Sequence, residues 1–439
     1  MEEHRNQDHT DFMKETIKQR PLNRRKLVRR TLLTAAMAVV FGMVACFTFL
    51  LLEPVISNRL YPEEEPEVVE FVEEPPEDEI LPEDMIADES QMQPEPTEPP
   101  ALEDEQIAQV LSEMKLGVED YLSLFAGIRE VAQEVRRSLV TVVGVTSDVG
   151  WLDDNEYESE GAVCGVVVAD NGIELLILAD VSAIEQAQSL EVAFQDGEVY
   201  QASIMKKDNN TGLAIISIAK SAMKETTLET AVAATLGTSS SSLVGVPVIA
   251  MGRPMGMDGS LCYGNITSAG NAIRLPDSSY KFMTTDIYGS AGASGILINL
   301  RGQVVGIIDM SNNPADLKNL VSAVGISDLK RVVQSLSNDK DIAYFGVYGA
   351  DVTQEANQEL GVPLGAYITE TDMDSPAMNA GIQSGDVITM LNETEIGNYQ
   401  DLVNALLAQE PEKTITIGLM RQGPEGYTQM EVAAVLGLK

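Results

Sequence analysis

The hydrophobic and polar positions divide this chain into segments of different periodicity. Residues 31–52 form an apolar run without a charge, and about twenty such residues can span a bilayer as a helix. Arginine and lysine are frequent in residues 20–30, and an acidic stretch begins at Glu53. The positive-inside rule therefore places residues 1–30 in the cytoplasm and residues 53–439 outside. We expect a single-pass cell-membrane protein with a cytoplasmic N-terminus.

A cleaved signal peptide is the alternative interpretation of residues 31–52. The apolar core of a signal peptide has only roughly 7–15 residues, whereas this run is longer and no small-residue cleavage pattern follows it. We therefore favour the membrane anchor.

Residues 53–105 are rich in proline and glutamate. Segments with high charge and few apolar residues cannot repay the entropy of folding, so this tract is predicted to be an extended, solvated linker. It contributes much of the formal net charge of −39, from 29 Lys and Arg against 68 Asp and Glu. Nucleic acids and anionic membrane surfaces need basic partners, so this balance argues against both. A binding role for the acidic run is the alternative to a stalk.

Residues 106–137 show apolar positions three and four residues apart, which predicts a helical lead-in. Residues 138–338 contain short Val- and Ile-rich strands separated by turn pairs, the pattern of antiparallel barrels or sandwiches. A Ser-rich stretch at residues 238–242 is a candidate joint between two halves, and a helix near residues 326–336 closes the unit. Residues 340–439 alternate strands with helices and are predicted to be a separate α/β module.

Ser294 stands in the segment Gly292-Ala293-Ser294-Gly295. A serine hydroxyl needs a neighbouring base to become a nucleophile, and histidine is the usual one because its pKa lies near neutrality. The chain has two histidines, His4 and His9, and both precede the predicted anchor. Cys164 and Cys262 lie in apolar, β-rich sequence and are interpreted as small buried hydrophobes rather than a disulfide. No metal or cofactor motif is visible, so we expect no cofactor.

Four segments carry a family resemblance. Residues 292–307 resemble the serine-bearing segment of HtrA (DegP/DegS-like) proteases, and Thr285-Asp286 matches the spacing of the Thr-Asp step in that family. Residues 251–256 resemble its Gly-x-Pro-x-Gly turn, and residues 374–388 are similar to part of a PDZ domain. The resemblance implies a mostly β, double-barrel trypsin-like (chymotrypsin) fold over 138–338, followed by a PDZ domain over 340–439. Such proteins often trimerise through the protease domain, which makes a homotrimer possible here.

The departures from the family pattern concern its catalytic residues. Asp180 stands at the histidine position, Gly212 stands at the aspartate position, and the sequence after Ser294 is one residue short. By resemblance, Gly292 and Ala293 would form the oxyanion hole. We therefore predict a pseudoprotease, in which Ser294 keeps the position of the nucleophile without its reaction.

An active HtrA-type endopeptidase is the alternative, with Ser294 served by a base other than histidine. Asp180 could accept a proton only if burial raised its pKa by several units. Lys206 and Lys207 could form a Ser–Lys pair, although they are predicted to lie in an exposed turn.

The PDZ-like module is the predicted binding site. The resemblance places the carboxylate-binding loop at Tyr344, Phe345, Gly346 and Val347, with Leu402 and Leu406 on the other wall of the groove. Core packing is the alternative role for these residues. The predicted ligands are C-terminal or unfolded segments of envelope or secreted proteins, bound by strand addition during protein quality control. A chaperone-like holdase is a further alternative.

Overall fold

The computed structural model describes residues 29, 32–44, 46–48, 66–72, 117–149, 156–239, 243–424 and 426–439. The chain divides into two compact units, Met1–Glu65 and Pro66–Lys439. In the first unit, residues 32–44 and 46–48 are helical. No helix within the described residues is long and apolar enough to cross a membrane. The rest of the predicted anchor and residues 106–116 of the predicted lead-in lie outside the described residues.

The second unit begins with a helix and a closed six-stranded antiparallel barrel. The strands follow the order β1-β2-β3-β6-β5-β4 around this first barrel. Strands β3 and β6 of this barrel consist mainly of Leu, Ile and Ala, because one face of each strand points into the barrel and the other packs against the rest of the unit. The elements are α1 (Val118–Arg136), β1 (Leu139–Val149), β2 (Glu156–Asp170), β3 (Glu174–Asp180), β4 (Ser189–Ala193), β5 (Val199–Lys207) and β6 (Leu213–Ala219).

A second closed barrel follows, with the order β10-β11-β12-β9-β8-β7. A short helix, α2 (Glu225–Thr230), precedes it, and an amphipathic helix, α3 (Ile326–Ser337), ends it. Short 3-10 turns in the described part of the chain include Ser182–Ile184, Lys220–Ala222 and Ala315–Leu317. The strands are β7 (Pro247–Arg253), β8 (Ser260–Leu275), β9 (Ser278–Tyr288), β10 (Ser294–Ile298), β11 (Val304–Ile308) and β12 (Leu320–Gly325). The predicted double-barrel fold is confirmed.

Each barrel has its own apolar interior, and a third cluster lies between them. Val142, Val192 and Ile216 belong to the first interior. The shared cluster joins β3 of the first barrel to β7 and β10 of the second and to helix α3, through buried residues such as Leu176 and Ile296. Burial of this shared surface fixes the two barrels against each other.

The C-terminal module has a five-strand path in the order β14-β15-β16-β18-β19, with β17 pairing to β16 and β13 pairing to β20. Strand β14 is therefore an edge strand. The predicted strand near residues 344–348 is interrupted at Phe345 and Gly346, which form a loop. The elements are β13 (Ala343–Tyr344), β14 (Val347–Asp351), α4 (Gln354–Leu360), β15 (Ala366–Thr371), α5 (Pro376–Asn379), β16 (Val387–Leu391), β17 (Thr394–Glu395), α6 (Tyr399–Leu407), β18 (Thr414–Gly423), β19 (Gly426–Val435) and β20 (Gly437–Leu438).

Residues 66–72 are an exception within the tract predicted to be solvated. Val69 is buried in the shared core and Phe71 packs against it. The side-chain amide of Asn338 accepts a hydrogen bond from the Val69 N–H at 2.9 Å and donates one to the Val69 carbonyl at 2.8 Å. Alternating apolar residues inside the acidic tract allow this short segment to dock, whereas its glutamates stay outside the core.

Candidate functional site

Ser294 is the first residue of strand β10 and lies opposite Arg253 of strand β7. The next residue, Gly295, has φ of +128°, and a Cβ there would come within 2.0 Å of the Met251 carbonyl oxygen. This close approach requires glycine and draws the backbone of β10 onto β7. Strand pairing therefore begins at Ser294 itself, in a segment one residue shorter than the family pattern.

The hydroxyl of Ser294 accepts a hydrogen bond from the backbone N–H of Cys164 on β2, at 3.0 Å. Among the described residues, no carboxylate or amine forms a hydrogen bond with this hydroxyl. An N–H donor stabilises negative charge on an oxygen but cannot take up a proton from it. Within the described part of the chain, the Ser294 hydroxyl is therefore not hydrogen-bonded to a group that could act as its base.

Asp180 and Gly212 are neighbours, as the family positions imply. Asp180 ends β3, and its partner in the strand register is Leu213, the residue after Gly212. The Asp180 carboxylate accepts the N–H of Ser182 at 2.9 Å. Gly212 has φ of +73°, and a Cβ there would lie 2.0 Å from the Ser182 Oγ and 2.9 Å from an oxygen of Asp180. The space beside Gly212 is therefore occupied by Ser182 and Asp180.

Asp180 also lines a small cavity of about 90 Å³ together with Asn210, Tyr280 and Asp309. Ser294 is not among the residues that line it. Asp180 and Ser294 therefore do not line the same cavity.

The lysines offered as alternative bases lie in strand β5, so the prediction of an exposed turn is wrong. Lys206 Nζ lies 2.6 Å from Asp341 and 3.5 Å from Asp339, and Lys207 Nζ lies 2.6 Å from Glu185. The hydrogen bond that Lys206 donates to the Asp341 carboxylate raises the pKa of Lys206. A lysine base needs a lowered pKa, so this environment acts in the wrong direction.

The predicted oxyanion hole has one donor already in use. The Ala293 N–H donates to the Ser290 carbonyl at 3.1 Å, within the turn that contains Gly292. Ala293 therefore does not offer its N–H to a substrate in this conformation.

The two remaining candidates for special chemistry are thiols, and both are free. Burial raises the pKa of Cys164 to about 12, so the thiol stays protonated and is a poor nucleophile. Cys262 is partly buried, and burial raises its pKa as well. Within the described part of the chain, no group of three His, Cys, Asp or Glu residues is placed to hold a metal ion.

The predicted carboxylate-binding loop of the C-terminal module holds a carboxylate from the second barrel. Asp277 accepts the N–H of Phe345 at 2.7 Å, that of Gly346 at 2.8 and 2.9 Å, and that of Val347 at 2.9 Å. Burial raises the pKa of the Asp277 carboxyl, while the three N–H groups and Lys439 oppose that rise. Three consecutive N–H groups of the loop therefore converge on one carboxylate, and sequence reasoning missed Asp277 as their partner.

The loop conformation depends on its glycine and on a neighbouring side chain. Gly346 has φ of +85°, and a Cβ there would lie 2.3 Å from the Cβ of Ser375. Tyr344 extends its hydroxyl to the Asp372 carboxylate at 2.7 Å, and the Asp372 N–H donates to the Gly346 carbonyl at 2.9 Å. These contacts hold the N–H groups on the same side of the loop.

Leu402 and Leu406, predicted to line the groove, are buried in the core of the module. Core packing, the alternative interpretation, describes them better. Tyr399 at the start of the same helix faces the edge strand instead. Its hydroxyl donates to the Val347 carbonyl at 2.9 Å, and its ring covers Gly349. No sequence signal distinguished Tyr399 from the other apolar residues of this helix.

Comparisons with known proteins agree with this architecture. Residues 163–307 match the family described as trypsin-like peptidase domain, and residues 335–432 match the PDZ domain family. The two-barrel unit and the carboxylate-binding loop thus define a trypsin-like domain followed by a PDZ domain.

Relatives and solved structures with this combination include several HtrA proteins. The chain is 29% identical over 312 residues to serine protease Do-like HtrB of Bacillus subtilis, covering 64% of this chain and 66% of that protein. It is 28% identical over 280 residues to serine endoprotease DegS of Haemophilus influenzae, covering 62% of this chain and 76% of that protein. The structure of HtrA-type protease AlgW with decapeptide matches with a TM-score of 0.52 and 22% identity, over 71% of this chain and 98% of that one. The trypsin-like domain, the PDZ domain and these similarities together support an HtrA family protein.

Restoring the family aspartate by Gly212→Asp should destabilise the protein. The new side chain would overlap Ser182 and occupy a strained backbone conformation, and overpacking alone costs roughly 1–3 kcal/mol. Chemical denaturation should show a lower free energy of unfolding for this variant than for Gly197→Asp. Gly197 is the matched control because its φ is +86° and a Cβ there meets nothing within 4 Å. Equal stability of the two variants would show that the position still accommodates an aspartate.

Proposed function

We propose that this protein is an HtrA-family pseudoprotease that recognises protein C-termini through its PDZ domain. The main support is the environment of the Ser294 hydroxyl. This hydroxyl accepts a hydrogen bond from the Cys164 N–H, and among the described residues no basic side chain is hydrogen-bonded to it. Residues 53–439 contain no histidine to supply one. The barrels then serve as a scaffold.

The size of the expected catalytic defect supports this proposal. Loss of a principal member of a serine-protease triad lowers the rate by roughly 10⁴–10⁶-fold. Here the base and acid positions carry Asp180 and Gly212, and Ala293 directs its N–H at Ser290. Catalysis left to backbone donors would be too slow for a working endopeptidase.

Binding of peptide C-termini is supported by two features of the PDZ domain. Three consecutive N–H groups, those of Phe345, Gly346 and Val347, already coordinate a carboxylate. Strand β14 lies at the sheet edge, where an extended peptide can add as a further strand. AlgW, the solved relative, is described with a decapeptide.

The proposed cellular setting is the outer face of a membrane. Residues 31–52 would anchor the chain there, and the acidic linker would separate the folded domains from the bilayer. The ligands would be C-terminal or unfolded segments of envelope or secreted proteins undergoing quality control. A homotrimer is proposed on the resemblance to the family.

The purified full chain should not react with a fluorophosphonate probe, because Ser294 lacks a base. In-gel fluorescence of the probe, beside casein turnover, measures this. Ser294→Ala is the control variant and should give the same background. Labelling and casein cleavage that both disappear in Ser294→Ala would favour the alternative, an active endopeptidase.

The full chain should bind a pool of decapeptides with randomised last four positions and free C-termini more tightly than the same pool with amidated C-termini. Fluorescence anisotropy of the labelled pools measures the difference. Gly346→Ala should abolish the preference because its Cβ would meet Ser375, whereas Gly361→Ala is a matched control with φ of +67° and open space. Equal binding of both pools by the wild-type chain contradicts the PDZ proposal.

Membrane attachment should depend on residues 31–52. In cell fractions, the full chain should stay in the membrane pellet after alkaline carbonate extraction, since a spanning helix resists such treatment. A variant lacking residues 31–52 should be released into the supernatant. Release of the wild-type chain by carbonate would argue against an anchor.

A further inference from the structure

The tip of one hairpin in the second barrel reaches the PDZ carboxylate-binding loop. Strands β8 and β9 end and begin at Leu275 and Ser278, which pair with each other, so Pro276 and Asp277 form the two-residue turn between them. Asp277 is buried, with 4% of its surface exposed. A charged residue at a hairpin tip is normally solvated, so this one is placed for a contact rather than for solubility.

The contacts of Asp277 have the form of a bound peptide end. Its carboxylate receives four hydrogen bonds from three consecutive N–H groups, those of Phe345, Gly346 and Val347. Its own N–H donates to the Val347 carbonyl at 2.8 Å. A carboxylate held by loop N–H groups and a main-chain bond to the edge strand are the two elements of strand addition at a peptide C-terminus. Asp277 supplies both from within the chain.

Aspartate at position 277 suits the contact with the PDZ loop better than it suits the local backbone conformation. Asp277 has φ of +56°, a region where glycine is the least strained residue. An aspartate there costs local conformational energy that its hydrogen bonds to the loop offset. Lys439 Nζ donates to the Ser278 hydroxyl at 3.0 Å and brings a positive charge beside the carboxylate.

We infer that Asp277 is a built-in ligand of the PDZ carboxylate-binding loop, and that an external C-terminal carboxylate binds only by displacing it. This inference rests on the proposed function, because it assumes that the loop binds peptide C-termini. The two carboxylates need the same N–H groups of Phe345, Gly346 and Val347, so both cannot occupy the loop together. The PDZ domain of the free protein is therefore closed by its own barrel.

Displacement would also change contacts on the side of the first barrel. The Asn210 side-chain amide donates to the Pro276 carbonyl at 2.9 Å, directly beside Asp277. Asn210 belongs to the loop that runs from Asp208 to Gly212 and lines the cavity beside Asp180. The same turn thus contacts the peptide-binding loop on one side and the former aspartate segment on the other. The ligand class at the PDZ loop is a peptide C-terminus, and its competitor is the hairpin tip.

Asp277→Gly and Asp277→Asn in the full chain test the displacement. Glycine suits the positive φ, and asparagine keeps the shape of the side chain while removing its charge. Because a closed site lowers apparent affinity by the fraction that is open, removing the internal ligand should tighten binding of the free-carboxylate decapeptide pool by about tenfold or more. The amidated pool should show no such gain. Fluorescence anisotropy gives both affinities.

Asp339→Asn is the matched control, since Asp339 also has a positive φ of +54° and its exposed side chain contacts Lys206. It should bind the pools as the wild type does. If wild type and Asp277→Gly bind the carboxylate pool equally well, the proposed function stands and the internal-ligand inference is overturned. If neither binds any pool, the proposed function fails and displacement fails with it.

Hydrogen–deuterium exchange of the segment 344–348 tests the internal contact without any peptide. Its amides should be protected in the wild-type chain and in Asp339→Asn, and should exchange faster in Asp277→Gly. Unchanged exchange in Asp277→Gly would overturn the inference whatever the peptides do.

Discussion

The apolar cluster between the two barrels is the constraint on which the site geometry depends. It joins β2 and β3 of the first barrel to β7 and β10 of the second, through buried residues such as Leu178 and Ile249. These strands carry or adjoin Cys164, Asp180, Gly252 and Ser294. The residues of this cluster are almost all aliphatic, so their burial keeps these positions in place. The fold therefore does not depend on which side chains occupy the candidate catalytic positions.

Gly212 and Gly252 are surrounded by close side-chain contacts rather than by empty space. Ser182 fills the volume next to Gly212, and the Cys164 side chain packs on Gly252, where a Cβ would lie 2.4 Å from its sulfur. Asp208 closes the loop before Gly212 by accepting the Thr211 hydroxyl and the Asn210 N–H. A larger side chain at Gly212 or Gly252 would meet these neighbours. Their rearrangement would add to the free-energy cost of the substitution. The candidate site is thus closely packed by the side chains that surround it.

The fold could be predicted from the sequence because its signals are local. Strand β3 and helix α3 follow from the short apolar run and the three- and four-residue spacing that mark them. The positions of Asp180 and Gly212 followed from the family resemblance. What could not be predicted depends on contacts between distant segments. Nothing near Val69 indicates that Asn338 will pair with it, and the Pro276-Asp277 turn gives no sign that its carboxylate reaches Gly346.

The hairpin tip, Pro276 and Asp277, contacts both the PDZ loop and the loop from Asp208 to Gly212. Its backbone is fixed by the pairing of β8 with β9, so Pro276 and Asp277 cannot move independently over large distances. A peptide that removes Asp277 from the loop must therefore shift the hairpin, the PDZ domain or both. The Pro276 carbonyl is bonded to Asn210, so a shift of the hairpin would alter the segment beside Asp180. Coupling of this kind requires two states of a contact with different affinity for the ligand. The loop closed by Asp277 supplies one such state, and the loop occupied by a peptide C-terminus would supply the other.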